Sequence, residues 1–202
     1  GPLPRVGESQ NDTQRRALLI GALSNLARVP KVIALSEQFA AQEQKDPHSV
    51  DPNLAGIFVA IAAKFGDEAR FSTWIDTFLS RKNEGRTPQE VARYLHTLSI
   101  FRRPGLPEKT LALIESGTVP QEAVGSLLSQ LLSFRHGQEA AWRYLKDRWL
   151  ELKQRVGDLG LSRVVEALGR LRAEWRTDIV DFFKKKLPVP QSHPASRSVT
   201  NA

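Results

Sequence analysis

Cysteine and methionine are both absent from this 202-residue chain. Without cysteine, the chain contains no disulfide, no thiolate nucleophile and no cysteine-ligated zinc site. Because a natural reading frame begins with Met, we expect the chain to derive from a longer precursor, and we interpret Gly1 and Pro2 as a scar left by protease cleavage. Residues 1–11 are therefore expected to form a scar and a polar lead before the folded domain.

Long apolar runs are missing as well. No run of about 18 apolar residues occurs, so we expect no membrane span, and the N-terminus lacks the pattern of a signal peptide. Hydrophobic residues make up 41% and charged residues 25% of the chain. These values are typical of a soluble globular protein of one or two domains, and they leave the cellular compartment open.

Catalytic and metal-binding motifs are also missing. The sequence has no H-E-x-x-H, no G-x-S-x-G and no phosphate-binding glycine loop. We interpret the four histidines as surface or interhelical residues; they are His48, His96, His136 and His193. The sequence therefore predicts no catalytic residue, no metal ligand and no cofactor site within these 202 residues.

Charged residues are abundant, and the basic ones outnumber the acidic ones. Lys and Arg number 29 against 22 Asp and Glu, which gives a formal net charge of +7. This balance permits an acidic partner or nucleic acid. However, only Lys184, Lys185 and Lys186 form a run, and acids lie near most arginines. Solvated helix faces with i,i+4 ion pairs are therefore favoured over a nucleic-acid interface.

Apolar residues recur at helical spacing, and no stretch keeps a strand period, so the predicted class is all-α. The first helix is expected from about Asp12 to Ala27, with Leu19, Ala22, Leu23 and Leu26 gathered on its apolar side. Thr118 is expected to cap a central helix. The helix after it is predicted to run unbroken through its apolar positions, which are Trp142, Leu145, Trp149, Leu152 and Val156.

The predicted helices come in pairs. Pair starts fall near residues 12, 52, 87, 120 and 158, a period of about 35 to 40 residues that is typical of stacked helical hairpins. The predicted fold is a right-handed α-α superhelix of about five antiparallel hairpins, HEAT/armadillo-like, over residues 12–187. Residues 188–202 are rich in Pro and Ser and are expected to form a disordered tail.

Three segments in the C-terminal half resemble a known family. They are GQEAAWRYLKDRWLELKQRVG at 137–157, LSRVVEALGRL at 161–171 and DIVDFFKKK at 178–186. Their order is similar to the C-terminal domain of zinc aminopeptidases of the alanyl, puromycin-sensitive and endoplasmic-reticulum type. The positions that match the family pattern are Trp142, Leu145, Lys146, Trp149, Arg155, Phe182 and Phe183.

This resemblance implies a non-catalytic domain. The family's zinc and its catalytic motifs belong to an upstream catalytic domain, so no catalytic residue carries over. The domain is then expected to cover the catalytic cleft and to help enclose and bind peptide substrates. Its expected partners are that catalytic domain and the peptide. The alternative is a free-standing α-solenoid adaptor for protein or nucleic acid.

Arginines near the concave side are candidates for binding the carboxylate end of a peptide, because a guanidinium can hold a carboxylate bidentately. The peptide-binding candidates are Arg102, Arg103, Arg135, His136 and Arg148. The alternative is that these arginines only pair with Asp147, Glu151 and solvent, as exposed ion pairs are weak.

Overall fold

The computed structural model describes residues 7–186. Within this range the secondary structure is helical, without a strand, so the all-α prediction is confirmed. The helices are α1 Gln10–Asn25, α2 Pro30–Lys45, α3 Pro52–Phe65, α4 Glu68–Asn83, α5 Pro88–Thr97, α6 Leu106–Glu115, α7 Gln121–Ser133, α8 Gln138–Asp147, α9 Trp149–Leu168 and α10 Arg176–Lys186. The predicted tail at 188–202 and the first six residues of the predicted lead lie outside the described residues.

Caps set several helix starts. Thr87 and Glu90 form a capping box at the start of α5, and the Asp51 and Asp67 side chains accept hydrogen bonds from backbone amides at the starts of α3 and α4. The prediction that Thr118 caps the central helix is wrong. Its hydroxyl lies 2.8 Å from that of Ser116, and α7 begins after Pro120, whose fixed φ suits a helix start.

Most helices pack against the helix two places along the chain. The pairs α1 with α3, α3 with α5, α6 with α8 and α7 with α9 are all in contact. This pattern is consistent with a solenoid in which each hairpin covers the apolar face of its neighbour. The chain divides into two compact units, one that ends at Arg170 and one that begins at Leu171 and contains α10.

Aromatic side chains fill the centre of the first unit. Phe71, Trp74 and Phe101 pack edge to face, and the Trp74 ring lies 5.8 Å from that of Tyr94. Further along the chain, Trp142 is fully buried. Such rings are the largest contributors to a hydrophobic core.

A buried ionic network joins α2, α4 and α5. The Glu43 carboxylate, which is fully buried, accepts hydrogen bonds from the guanidinium of Arg81 at 2.9 and 3.2 Å, and also from Arg93 and from the Tyr94 hydroxyl. Arg81 also donates to the Glu43 backbone carbonyl at 2.7 Å. Burial and the Glu43 charge raise the pKa of Tyr94 well above its ordinary value. The side chains of Arg81, Arg93 and Tyr94 therefore all donate hydrogen bonds to the one buried carboxylate of Glu43.

The first helix is rotated relative to the prediction. Leu19, Leu23 and Leu26 are 63%, 42% and 85% exposed, whereas Ile20 and Ser24 are buried. The reason is the contact with α3, because Ile20 packs into a core cluster with Leu54 and Phe58 of that helix. Within residues 7–186 no single helix has the length and apolar composition needed to span a membrane. The helices α1 and α2 taken together meet both criteria, but a 120° bend separates them.

The helix predicted to run unbroken through both tryptophans is interrupted at Arg148, where φ is −111° and ψ is 17°. It therefore consists of α8 and the first part of α9. Both tryptophans still lie in the core, because the break falls between them and Trp149 remains buried. Gly157 has φ +68° and ψ 170°, so it bends α9 next to the pair start that the sequence predicts near residue 158.

Two glycines let α7 and α9 approach each other closely. A Cβ on Gly125 would lie 2.6 Å from the Gly160 Cα and 2.8 Å from the Val156 Cγ1. The first of these atoms is backbone, so the two helices would have to separate.

We therefore expect Gly125→Ala to lower the free energy of unfolding by about 1–3 kcal/mol through overpacking. Gly56→Ala in α3 is the matched control, since nothing lies within 4 Å of its new Cβ. That variant is expected to be stabilised by about 0.5–1 kcal/mol through the higher helix propensity of alanine. Urea denaturation followed by circular dichroism gives both values. Equal stability of the two variants would contradict the close contact.

Candidate functional site

Four basic side chains from successive hairpins lie close together in the first unit. Arg28 lies in the turn before α2, Lys64 in the last turn of α3, Arg102 before α6 and His136 before α8. We call these four residues the cationic cluster. Lys64, Arg102 and His136 line one small cavity of about 210 Å³, with Phe134 on its wall. Arg28 has φ +50°, a backbone conformation that side chains other than glycine adopt rarely.

In the described part of the chain no carboxylate forms an ion pair with Arg28, Lys64 or Arg102, and none lines the small cavity. Lys64 donates a hydrogen bond to the Asn25 side-chain oxygen, and burial together with the charges of Arg102 and Arg28 lowers its pKa. Burial and the Arg28 charge also lower the pKa of Arg102. Like charges held together without an acid disfavour the charged forms, and such arrangements are concentrated at functional sites.

The His136 ring is fixed by two contacts. It stacks on the Phe134 ring with centroids 5.6 Å apart, and its Nε2 lies 3.0 Å from the Ser99 carbonyl oxygen. Burial and the Arg102 charge lower its pKa, while the Ser99 carbonyl acts in the opposite direction. The lowered pKa favours the neutral ring, so the positive charge of the cationic cluster comes from Arg28, Lys64 and Arg102; the Ser99 carbonyl accepts from Nε2–H.

A larger groove of about 870 Å³ continues from Arg102 and His136 and runs between α6 and α8. We call it the α6/α8 groove. Pro107, Leu111 and Ala140 supply apolar lining. Both helices have their N-terminal ends beside Arg102 and His136. Their C-terminal ends also lie together, because Arg148 forms an ion pair with Glu115 there.

Acidic residues line this groove at both ends, with Glu108 and Glu139 in the first turns of α6 and α8, and Glu115 and Asp147 at their C-terminal ends. Glu139 pairs with Arg143 at 2.9 Å, and Glu115 accepts a hydrogen bond from the Tyr144 hydroxyl as well as the ion pair from Arg148. Burial, followed by the charges of Glu115 and Glu151, raises the pKa of Tyr144 to about 12. The Asp147 carboxylate forms no ion pair in the described structure, and it lines the groove.

The predicted peptide-binding residues divide into three groups. Arg102 and His136 lie together and line both cavities. Arg148 lies at the opposite end of the groove, in the junction between α8 and α9 rather than within a helix, and its partner is Glu115 rather than Asp147 or Glu151. Arg103 and Arg135 are exposed and line neither cavity.

Sequence reasoning missed Arg28 and Lys64. A signal for them was present, because Arg28, Lys64, Arg102 and His136 follow one another at intervals of 36, 38 and 34 residues. These intervals agree with the predicted hairpin period. In a solenoid, residues at equivalent positions of successive repeats lie on the same side, so the period could have found the whole cluster.

Among residues 7–186 no group of three His, Asp or Glu side chains is placed to hold a metal ion. The positive charges of Lys64 and Arg102 in the small cavity, which no acid lines, are suited to binding an anion.

Comparison with known proteins decides the family. The family model of the ERAP1-like C-terminal domain matches residues 3–202. The chain belongs to this family. Similar curated proteins include Aminopeptidase 2 of Candida albicans, 24% identical over 89% of the chain, and Probable aminopeptidase 1 of Saccharolobus solfataricus, 23% identical over 90%. The chain covers 20% and 23% of these two proteins.

The ERAP1-like C-terminal domain thus spans about a fifth of the length of the curated relatives it matches. The resemblance of the three C-terminal segments to aminopeptidase C-terminal domains is confirmed. This membership favours the aminopeptidase interpretation over the free-standing adaptor.

Proposed function

We propose that this ERAP1-like C-terminal domain is the non-catalytic part of a zinc aminopeptidase, that it covers the catalytic cleft, and that its cationic cluster binds the C-terminal carboxylate of the peptide substrate. The observation that supports the binding role is a set of basic groups around one cavity with no acid to neutralise them. The catalytic domain and its zinc would be supplied by the parent protein.

The chemistry of the cluster suits a carboxylate. The planar guanidinium of Arg102 can donate two parallel hydrogen bonds, and the Lys64 ammonium adds a compact positive charge. Lys64 is half-buried, which strengthens its attraction for an anion relative to bulk solvent, whereas Arg102 is exposed.

A site for the carboxyl end also fits the proposed role of the parent. An aminopeptidase acts at the amino end of its substrate, so a covering domain that holds the other end would restrict which peptide lengths fit. The domain would then contribute to substrate selection without any catalytic residue of its own.

Titration of the chain with a decapeptide in free-acid and C-terminally amidated forms tests the carboxylate site. We expect the free acid to bind about tenfold more tightly, which corresponds to about 1.4 kcal/mol. Arg102→Ala is expected to remove this preference, whereas Arg135→Ala, the matched control outside both cavities, is expected to keep it. Added salt should weaken the free-acid complex more than the amide complex. Nuclear magnetic resonance titration measures affinities in this range.

Equal affinities for the two peptide forms in the unmodified chain, with no effect of salt, would contradict the carboxylate site. So would a preference for the free acid that survives Arg102→Ala.

A further inference from the structure

An apolar surface lies on the α1/α2 hairpin. Leu19, Leu23 and Leu26 recur along α1 at i, i+4 and i+7, so they form one stripe, and they are 63%, 42% and 85% exposed. Val32 and Leu35 of α2 are half-buried. We call these five residues the α1/α2 face. Single exposed leucines are ordinary on a protein surface, whereas a continuous apolar patch marks an interaction site.

A groove of about 880 Å³ runs along the α1/α2 face. Four of the five residues of the face line it, all except Leu26, and charged side chains line it as well, among them Asp12, Arg15 and Lys31. Apolar residues accompanied by charged ones are typical of a surface that another protein element covers.

The described hairpins show how such a face is covered. The first helix, α1, packs on α3, while α2 is joined to α4 by the ion pair of Glu37 with Arg70 and by the Gln44 amide, which donates to the Thr77 hydroxyl at 3.0 Å. The first helix of one hairpin thus meets the first helix of the next, and the second helix meets the second. A hairpin stacked on the free side of α1 and α2 continues this arrangement.

The family supplies the chain for such a hairpin. The matching model is that of a C-terminal domain, and the chain covers only 20% and 23% of the two aminopeptidase relatives. Most of the length of those proteins therefore lies outside the matched region, and one further hairpin needs only about 40 residues. The terminal repeat of a solenoid requires a polar outer side, which the α1/α2 face does not provide.

We propose that, in the parent protein, the α1/α2 face is covered by one more amphipathic helical hairpin of the same solenoid, formed by the segment that precedes this domain. Its first helix packs against α1 and its second against α2, and its apolar stripes fill the groove. The α1/α2 hairpin is then an internal repeat. This inference shares with the proposed function only the longer parent, and it does not depend on the carboxylate site.

The absence of cysteine from the chain allows a direct test by thiol labelling. Leu23→Cys is introduced into the 202-residue chain and into the intact parent, and mass spectrometry follows the reaction of residue 23 with a maleimide. Labelling should be at least about tenfold slower in the parent, because a thiol under a packed hairpin reacts only when the interface opens. Gln14→Cys is the matched control. Gln14 is exposed and lies nine residues from Leu23, about 180° around α1, so its labelling rate should be the same in both proteins.

Equal labelling of residue 23 in the two proteins would overturn the proposed hairpin. Slow labelling in the 202-residue chain by itself would do so too, because the face would then be covered within this chain or by a second copy. Equal protection of residues 14 and 23 in the parent would also contradict it, since a stacked hairpin covers one side of α1.

Cross-linking identifies the occupant. With p-benzoylphenylalanine in place of Leu26, the most exposed residue of the stripe, we expect cross-links in the parent to the about 40 residues that precede the domain. Cross-links to the catalytic domain or between two copies would overturn the hairpin as the occupant. The preference for free-acid peptides is measured separately, so failure of this inference and failure of the carboxylate site are distinguishable.

Discussion

Replacing Glu43 with alanine is expected to lower the free energy of unfolding by about 3–5 kcal/mol. The reason is the network around this carboxylate. Arg81 and Arg93 are only 4% and 7% exposed, and both donate to Glu43. Removal of the carboxylate leaves two guanidinium groups buried without their counter-charge, and it also removes the acceptor of the Tyr94 hydroxyl.

Glu37→Ala is the matched control, because it lies on the same helix and pairs with Arg70 at 3.1 Å in a partly exposed position. Its expected cost is about 0–1 kcal/mol. Denaturant titration of both variants gives the comparison. A Glu43→Ala protein as stable as Glu37→Ala would mean that the buried network is absent in solution.

Trp142→Ala is expected to have an effect of similar size, about 3–5 kcal/mol, since it leaves a large cavity as well as losing the transfer free energy of the ring. The Trp142 side chain extends from α8 and is fully buried. Leu150→Ala, only two positions beyond the helix break and 66% exposed, is the control and should cost less than about 1 kcal/mol. An unchanged denaturation midpoint for Trp142→Ala would contradict the packing of α8.

The sequence predicted the helices well, since their start signals are local. The capping box at Thr87 and the proline that opens α3 act within one turn, so neighbouring residues alone determine them. The orientation of α1 could not be predicted in this way. Its leucines and its Ile20 lie on overlapping stripes, and the contact with α3 decides which stripe is buried.

The sequence pattern did not predict the interruption at Arg148 for a related reason. The spacing from Trp142 to Trp149 fits one continuous helix, and a short break between them leaves both rings in the core. Arg102 and His136 could be proposed because basic groups before helices are visible in the sequence. Arg28 and Lys64 reach the same place through the stacking of hairpins, so the repeat period indicates them and no local signal does.

The most direct measurement is a crystal structure of the chain grown with the free-acid decapeptide. We expect electron density for the terminal carboxylate within hydrogen-bond distance of the Arg102 guanidinium, and no density there with the amidated peptide. Density for both peptides in the same place, or for the free-acid peptide bound away from Arg102 and Lys64, would contradict the assignment of the cationic cluster as the carboxylate site.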